Sequence, residues 1–225
     1  MIFDIVQVEK TLFDASFKII KDGESIGAIR VHGKLNSNYG FINGIFNDIK
    51  FSLRHMSNDN TFLNPGIPFG VSVDKTGPGL IRSTTIGSKL FNRFNVQQLE
   101  LDGLVYDTYS VGMGKEGNKK CIYQEDKQIA LVESDSVVYD ELYNFHVFAE
   151  NERAALVSIL TTIYTYTKSF FKQGELALSS ISRNYALSLN KKLKEKYDPE
   201  FKRKIIDRFN DNVKNAIKTE SLPKI

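Results

Sequence analysis

Cysteine occurs once, at Cys121, and tryptophan not at all. A single thiol cannot close a disulfide within the chain or build a thiolate cluster, so disulfide scaffolds and cysteine-held metals are excluded and a reducing interior is expected. Histidine is almost as scarce. His32, His55 and His146 lie far apart, in no HExxH or related spacing, and read as strand or loop residues, with no metal or cofactor site. No GxSxG elbow occurs and no Cys/His pair is visible, so no catalytic residue is assigned. Long apolar runs are also lacking. The most apolar uncharged stretch, AALVSILTTIYTYT, has 14 residues and meets Lys168 directly, short of the roughly 20 that cross a bilayer. The start, MIFDIVQVEKTLFDASF, alternates apolar with polar residues and carries acids early, unlike a secretory signal. The expected setting is cytoplasmic, with peripheral contact at a membrane.

What is present is a chain of 225 residues with 41% hydrophobic and 25% charged residues, enough for one substantial core. Residues 15 to 31, ASFKIIKDGESIGAIRV, flank Asp22-Gly23 with β-branched and aromatic side chains and predict a tight hairpin. Residues 33 to 79 hold three of the five prolines and predict loops with short strands and one short helix near 41 to 49. Short β-type runs follow: LIRSTTI, QLELDGLVYDTYSV with a bend at Gly103, a hairpin from KCIY turning at Glu125-Asp126-Lys127, then SVVYD and LYNFHVF. No crossover helices separate them, so the sheet is antiparallel.

Asn151 and Glu152 predict a helix start, and the helix runs to about 172 before Gly174. Around its wheel Ser158, Thr161, Thr162 and Thr165 form a narrow stripe with Ala154, and the remaining arc is apolar. Such a helix needs burial on most sides, and its hydroxyls can bond back to their own carbonyls. The fold class is therefore mainly β: an antiparallel β-barrel around a central hydrophobic helix, with a helical extension. The barrel takes 1–173 and a basic amphipathic tail takes 174–225.

The segment IYQEDKQIALVESDSVVYDELYNFHVFAENERAALVSILTTIYTYT, together with the early FKIIKDGESIGAIRV hairpin, resembles the tubby C-terminal-like superfamily, which includes phospholipid scramblases and LURP-one-related proteins. The resemblance lies in a strand with an acidic turn and return strand, a Tyr-x-Phe-x-Val strand and a closing hydrophobic helix. It implies a roughly twelve-stranded barrel round a helix, and a role in binding phosphoinositide head groups or acting at membranes. Two departures weigh against scramblase activity: about fifty residues follow the helix, and no Pro-rich or Cys-rich N-terminal extension is present.

Several motifs invite a chemical reading and have a plainer one. GMGKEG satisfies GxGxxG, but strand-like NKKCIY follows where a dinucleotide site needs a helix, so a hairpin loop is expected. Its neighbourhood holds Lys115, Lys119 and Lys120, which attract anions weakly. GPGLIRSTT lacks the Gly-Lys-Ser/Thr of a P-loop. SKLFNRFN interleaves Lys89 and Arg93 with Phe91 and Phe94, a mixture used against nucleic acid or lipid head groups, and also that of an ordinary strand.

Charge is uneven. From Lys168 onward 14 Lys and Arg face 7 Asp and Glu, leaving 16 against 20 before it. Asp198-Pro199-Glu200 starts a final helix whose apolar stripe is Phe201, Ile205, Phe209, Val213 and Ala216/Ile217, after a shorter helix at about 184 to 196. The stripes can face the barrel wall, another subunit or a membrane. Lys191, Lys192, Lys194, Lys202, Arg203 and Lys204 would suit anionic lipid, although Asp198, Glu200, Asp207 and Asp211 interrupt them. The functional expectation is a non-enzymatic binding protein whose partner is an anionic membrane surface or a protein. The alternatives are a small-molecule binder or enzyme with a pocket at the barrel mouth, lined from 33 to 79, and nucleic-acid binding through the tail.

Overall fold

A computed structural model describes residues 1–33, 41–56, 68–74, 76–86, 94–114, 117–135, 137–139, 142–172, 175–176, 181–183, 186–187 and 195–220. For 137–139, 170–172, 175–176, 181–183, 186–187 and 212–220 it describes the backbone course alone. Eleven successive strands, β1 (Ile2–Lys10), β2 (Asp14–Lys21), β3 (Glu24–His32), β4 (Phe41–Phe46), β5 (Ile49–His55), β6 (Phe69–Val73), β7 (Gly79–Ile86), β8 (Phe94–Leu101), β9 (Leu104–Gly114), β10 (Asn118–Gln124) and β11 (Lys127–Ser134), each pair antiparallel with the next except β1's outer partner and that of β11. Both of those ends meet β13 (Asn144–Ala149), which lies between β11 and β1. The result is a closed twelve-stranded antiparallel barrel, in which closure removes the unpaired edges that an open sheet would expose.

The turns follow from backbone chemistry. Asp22 and Gly23 have φ of 53° and 84°, and Asp102 and Gly103 have 53° and 71°, the paired positive φ of a two-residue turn that matches strand twist. The expected bend at Gly103 is thus a full hairpin between β8 and β9. The helix expected near 41 to 49 is instead the β4–β5 hairpin, turning at Asn47 and Asp48 with φ of 45° and 64°. Gly44 sits on its inward face because a Cβ there would come within 2.2 Å of the Phe51 ring.

Helix α1 (Glu152–Phe170) follows β13. Asn151 Oδ1 accepts from the Ala154 amide at 2.9 Å, the expected N-cap. Arg153 pins the first turn to the β8–β9 hairpin, pairing with Asp102 at 2.8 Å and donating to the Leu101 carbonyl at 3.1 Å. Leu156, Val157, Ile159, Leu160, Ile163 and Tyr164 are all buried and share one core cluster with inward side chains such as Phe17, Ile42, Leu53, Phe69, Leu99 and Val147. The helix touches well-separated strands. Tyr166 packs edge-on to Phe17 of β2, Tyr164 edge-on to Phe69 of β6, and Thr165 donates to Gln97 of β8 at 2.8 Å. The hydroxyl stripe bonds back as expected, Ser158 to the Ala154 carbonyl at 2.7 Å and Thr161 to that of Val157 at 2.9 Å.

Beyond α1, the short strands β12 (Val137–Tyr139) and β16 (Ile181–Arg183) pair, as do β14 (Phe171–Lys172) and β15 (Glu175–Leu176). Strand β17 (Ala186–Leu187) adds to β9. Within the expected helix at 184 to 196, residues 186–187 are instead a strand, where the exposed end of β9 offers ladder partners, and residues 195–196 are helical; 184–185 and 188–194 lie outside the described residues. The final helix exists as α2 (Phe201–Glu220), after an Asp198 cap that accepts from the Glu200 amide at 2.9 Å. Phe201 and Ile205 are buried on the outer wall against Val96, Tyr109, Val111, Cys121, Tyr123, Leu131 and Phe148. The first two residues of the apolar stripe thus face the protein's own barrel.

Candidate functional site

Outward-facing residues of β2 to β6 form two adjacent rows fixed by strand register. In one row Ser16 pairs with Arg30, Arg30 with Asn43, Asn43 with Ser52 and Ser52 with Ser72; in the next, Lys18 pairs with Ala28, Ala28 with Ile45 and Ile45 with Lys50. Inward alternates such as Phe17, Ile29 and Phe51 belong to the core, so period-two alternation alone sends the polar partners out. The surface is concave there and encloses about 680 Å³. Its floor is small (Ala28, Ser16, Ser52) and its rim carries Lys18, Arg30 and Lys50, all exposed. No ion pair engages these three cations among the described residues. Asp74 closes one end, its carboxylate accepting weakly from the Lys50 backbone amide at 3.3 Å.

The basic residues singled out in the sequence have a different fate. Lys89, Arg93, Lys115, Lys191, Lys192 and Lys194 lie outside the described residues. Lys119 and Lys202 converge on Glu133, at 3.2 and 2.6 Å. Burial pushes the Glu133 carboxyl up, but the Lys202 and Lys119 bonds and charges outweigh it and hold it below its ordinary value. Lys204 pairs with Asp198 at 2.8 Å, and Arg203 with Glu200. Asp198 and Glu200, two of the acids that interrupt the basic tail, together with Glu133 of the barrel, are its partners. Lys120 points inward, over the Phe145 ring. Lys18, Arg30 and Lys50 went unrecognised: strand alternation around Asp22-Gly23 places the first two outside, but Lys50 reads as part of a helix until the Asn47-Asp48 turn is known.

His146 lies on the outer face of β13, as alternation requires, and is held from both sides. Its Nδ1 is 2.8 Å from Asp4 and its Nε2 3.0 Å from Asp135. Burial alone would lower its pKa, yet the bonds to Asp135 and Asp4 and their charges raise it. Among the described residues no group of His, Cys, Asp and Glu has the geometry of a metal site. GMGKEG is a hairpin, with the Met113 amide donating to Gly117 at 2.9 Å, and no dinucleotide-binding helix follows it. Cys121 is buried beneath α2, and burial pushes its thiol up to about 12, so it behaves as a small apolar side chain. Among the described residues no helix is long and apolar enough to cross a membrane.

Comparison with protein-family models, with curated proteins and with solved structures gives no match.

Proposed function

We propose that this protein is a non-enzymatic binding module, a tubby-like barrel wound around α1 as its axis, that holds the phosphate-bearing head group of an anionic lipid in the β2–β6 groove. The observation that carries this reading is the contrast in charge pairing. Lys202, Arg203 and Lys204 of the tail are each engaged by a carboxylate, whereas Lys18, Arg30 and Lys50 surround a concave floor with no acid bound to them among the described residues. A phosphate suits that rim: Arg30 offers a planar fork of donors, the two lysines add charge, and Ser16, Asn43 and Ser52 supply neutral hydrogen bonds beside it. Burial of the α1 residues with inward side chains of the strands supports the axial position of the helix.

Vesicle co-sedimentation tests the reading. Neutral phosphatidylcholine vesicles should leave the protein in the supernatant, and vesicles containing phosphatidylinositol phosphates should pellet it at low salt. With each basic residue near an anionic surface contributing about 1 kcal/mol, Lys18→Glu, Arg30→Glu and Lys50→Glu together should weaken binding by about 100-fold or more. Sedimentation independent of lipid charge, or unchanged in the triple variant, would remove the proposal.

A further inference from the structure

Strand β10 sends Cys121 and Tyr123 outward beneath α2 and Ile122 inward to the core. Lys120 shares the inward face with Ile122. Its Nζ lies 5.6 Å from the centre of the Phe145 ring. Phe145 stacks on Tyr143 at 6.2 Å, and Tyr143 meets Tyr166 of α1 edge-on at 6.0 Å. Beside this amine is a cavity of about 120 Å³ lined by Val132, Tyr143, Phe145, Thr165 and Tyr166 and, on its more exposed side, by Asn118, Glu133, Ser134 and Ser169. It lies at the C-terminal end of α1, on the inner surface of the barrel and separate from the β2–β6 groove.

The amine has been left without an acid. Register sets Lys120 opposite Val132 and Lys119 opposite Glu133, so Glu133, which edges the same cavity, is held by Lys119 and Lys202 and not by Lys120. No hydrogen bond or ion pair reaches Lys120 among the described residues. Burying an ammonium without a counter-charge is costly, and the group responds by favouring its neutral form. Burial pushes the Lys120 amine down to about 8. At about pH 7.5 roughly a quarter of it is then a free amine, against about one in a thousand for an ordinary lysine. A neutral amine on a rigid strand, facing an apolar hollow, is a nucleophile.

We propose that Lys120 is a covalent capture site for a small apolar aldehyde, which enters the cavity beside α1 and condenses with the ε-amine to an imine. The Nζ lone pair adds to the carbonyl carbon, the carbonyl π pair moves to oxygen, and one N–H proton passes to that oxygen, giving a neutral carbinolamine. The nitrogen lone pair then forms the C=N bond as the hydroxyl leaves with a solvent proton as water, and the second N–H proton is released to solvent. Amine and aldehyde thus give imine and one water, with no oxidant or reductant consumed. The volume equals that of about four waters, which restricts the ligand to a short chain or a single ring whose apolar part lies against Val132, Tyr143, Phe145 and Tyr166.

The full chain is incubated at about pH 7.5 with limiting butyraldehyde and sodium cyanoborohydride, and the reduced adduct is located by peptide mass mapping. Lys120 should be labelled about tenfold or more faster than the typical lysine, given its larger neutral fraction. Its labelling should also rise with a midpoint near pH 8, the value its burial implies. Lys120→Arg should abolish that first label while melting like the wild type, and Lys120→Met serves the same purpose if the arginine variant fails to fold. Labelling spread evenly over the lysines would overturn the proposal. So would butyrate stabilising the protein as well as butyraldehyde with no adduct at Lys120, which would make the cavity a carboxylate site. Neither result bears on vesicle binding, since the groove residues take no part.

Discussion

Thr162 carries a buried hydroxyl that, unlike those of Ser158, Thr161 and Thr167, finds no hydrogen-bond partner among the described residues. An unpaired buried hydroxyl costs its lost hydration, so the isosteric Thr162→Val should stabilise the protein by about 1 kcal/mol, read as a shift in urea midpoint. The same change at Thr161, whose hydroxyl donates at 2.9 Å, should not stabilise. His146 makes a pH-dependent contribution. Its folded pKa is raised above the ordinary 6.5, so the protonated ring's attraction to Asp4 and Asp135 is fully present below 6.5 and fades as pH rises through the folded value. The stability difference between wild type and His146→Gln should therefore be largest below about pH 6.5 and shrink as pH rises above it. A difference that stays constant would show that the ring acts through shape alone. Sequence alternation alone assigned His146 to the outer face; the two aspartates that clamp it come from β1 and from the end of β11, and pairing across 142 positions is invisible to a local pattern.

Helix α2 is held by an apolar pair and by ion pairs at the rim. Phe201 and Ile205 fill the outer cluster, while Lys202 reaches Glu133 at 2.6 Å. Placing a charge in that cluster with Ile205→Asp should release α2 while leaving the barrel folded. Hydrogen exchange should show protection lost over 201–211, by about tenfold or more, with β1 and β13 amides still protected. Global unfolding would instead mean that the barrel depends on the helix. The stripe of Phe201, Ile205 and Phe209 was legible because a 3.6-residue period shows itself in one short segment. The β4–β5 hairpin was not. Phe41, Ile42, Ile45, Phe46 and Ile49 repeat at helical spacing, and Gly44 fills the inward position where a strand pattern would show a large residue, because the Phe51 ring already occupies that space. Asn47-Asp48 is a weaker turn signal than Asp22-Gly23, since both its residues carry a Cβ in a region that favours glycine. Lys120 was legible too, since alternation through KKCIY puts it on the face of Ile122. It was instead assigned to the surface as an anion contact, where a lysine is normally placed.

The barrel and α1 share a single core, so damage to the helix should not stay local. Leu160 is fully buried, and a carboxylate there would cost several kcal/mol, a sum comparable to the whole net stability of a domain. Leu160→Asp should therefore yield no cooperatively melting protein, whereas Leu160→Ala should fold with a loss of about 3 kcal/mol, measured by denaturant titration. A cooperatively melting aspartate variant would contradict the shared core. The burial of this helix was legible: fourteen uncharged residues, apolar on most faces and too short for a bilayer, require apolar partners, and inward side chains of the strands supply them. Closure itself was not legible, because the seam between β1 and β13 depends on register rather than on any one segment.

That seam joins Ile2 to Phe148, and this separation bears on birth at the ribosome. A chain made at about 5–20 residues per second exposes its opening strand for several seconds or more before the matching partner is synthesised, and α1, which shares the core with the inward side chains, comes later still. During that interval the hairpins emerge as a sticky, unfinished ribbon that relies on chaperones or on its own charged edges to avoid neighbours. Chains arrested near position 140 should be digested readily by added protease and should clump when released. Chains arrested with 170 residues clear of the exit tunnel should resist. Equal resistance at both lengths would mean that the ribbon shelters itself before the final staves arrive.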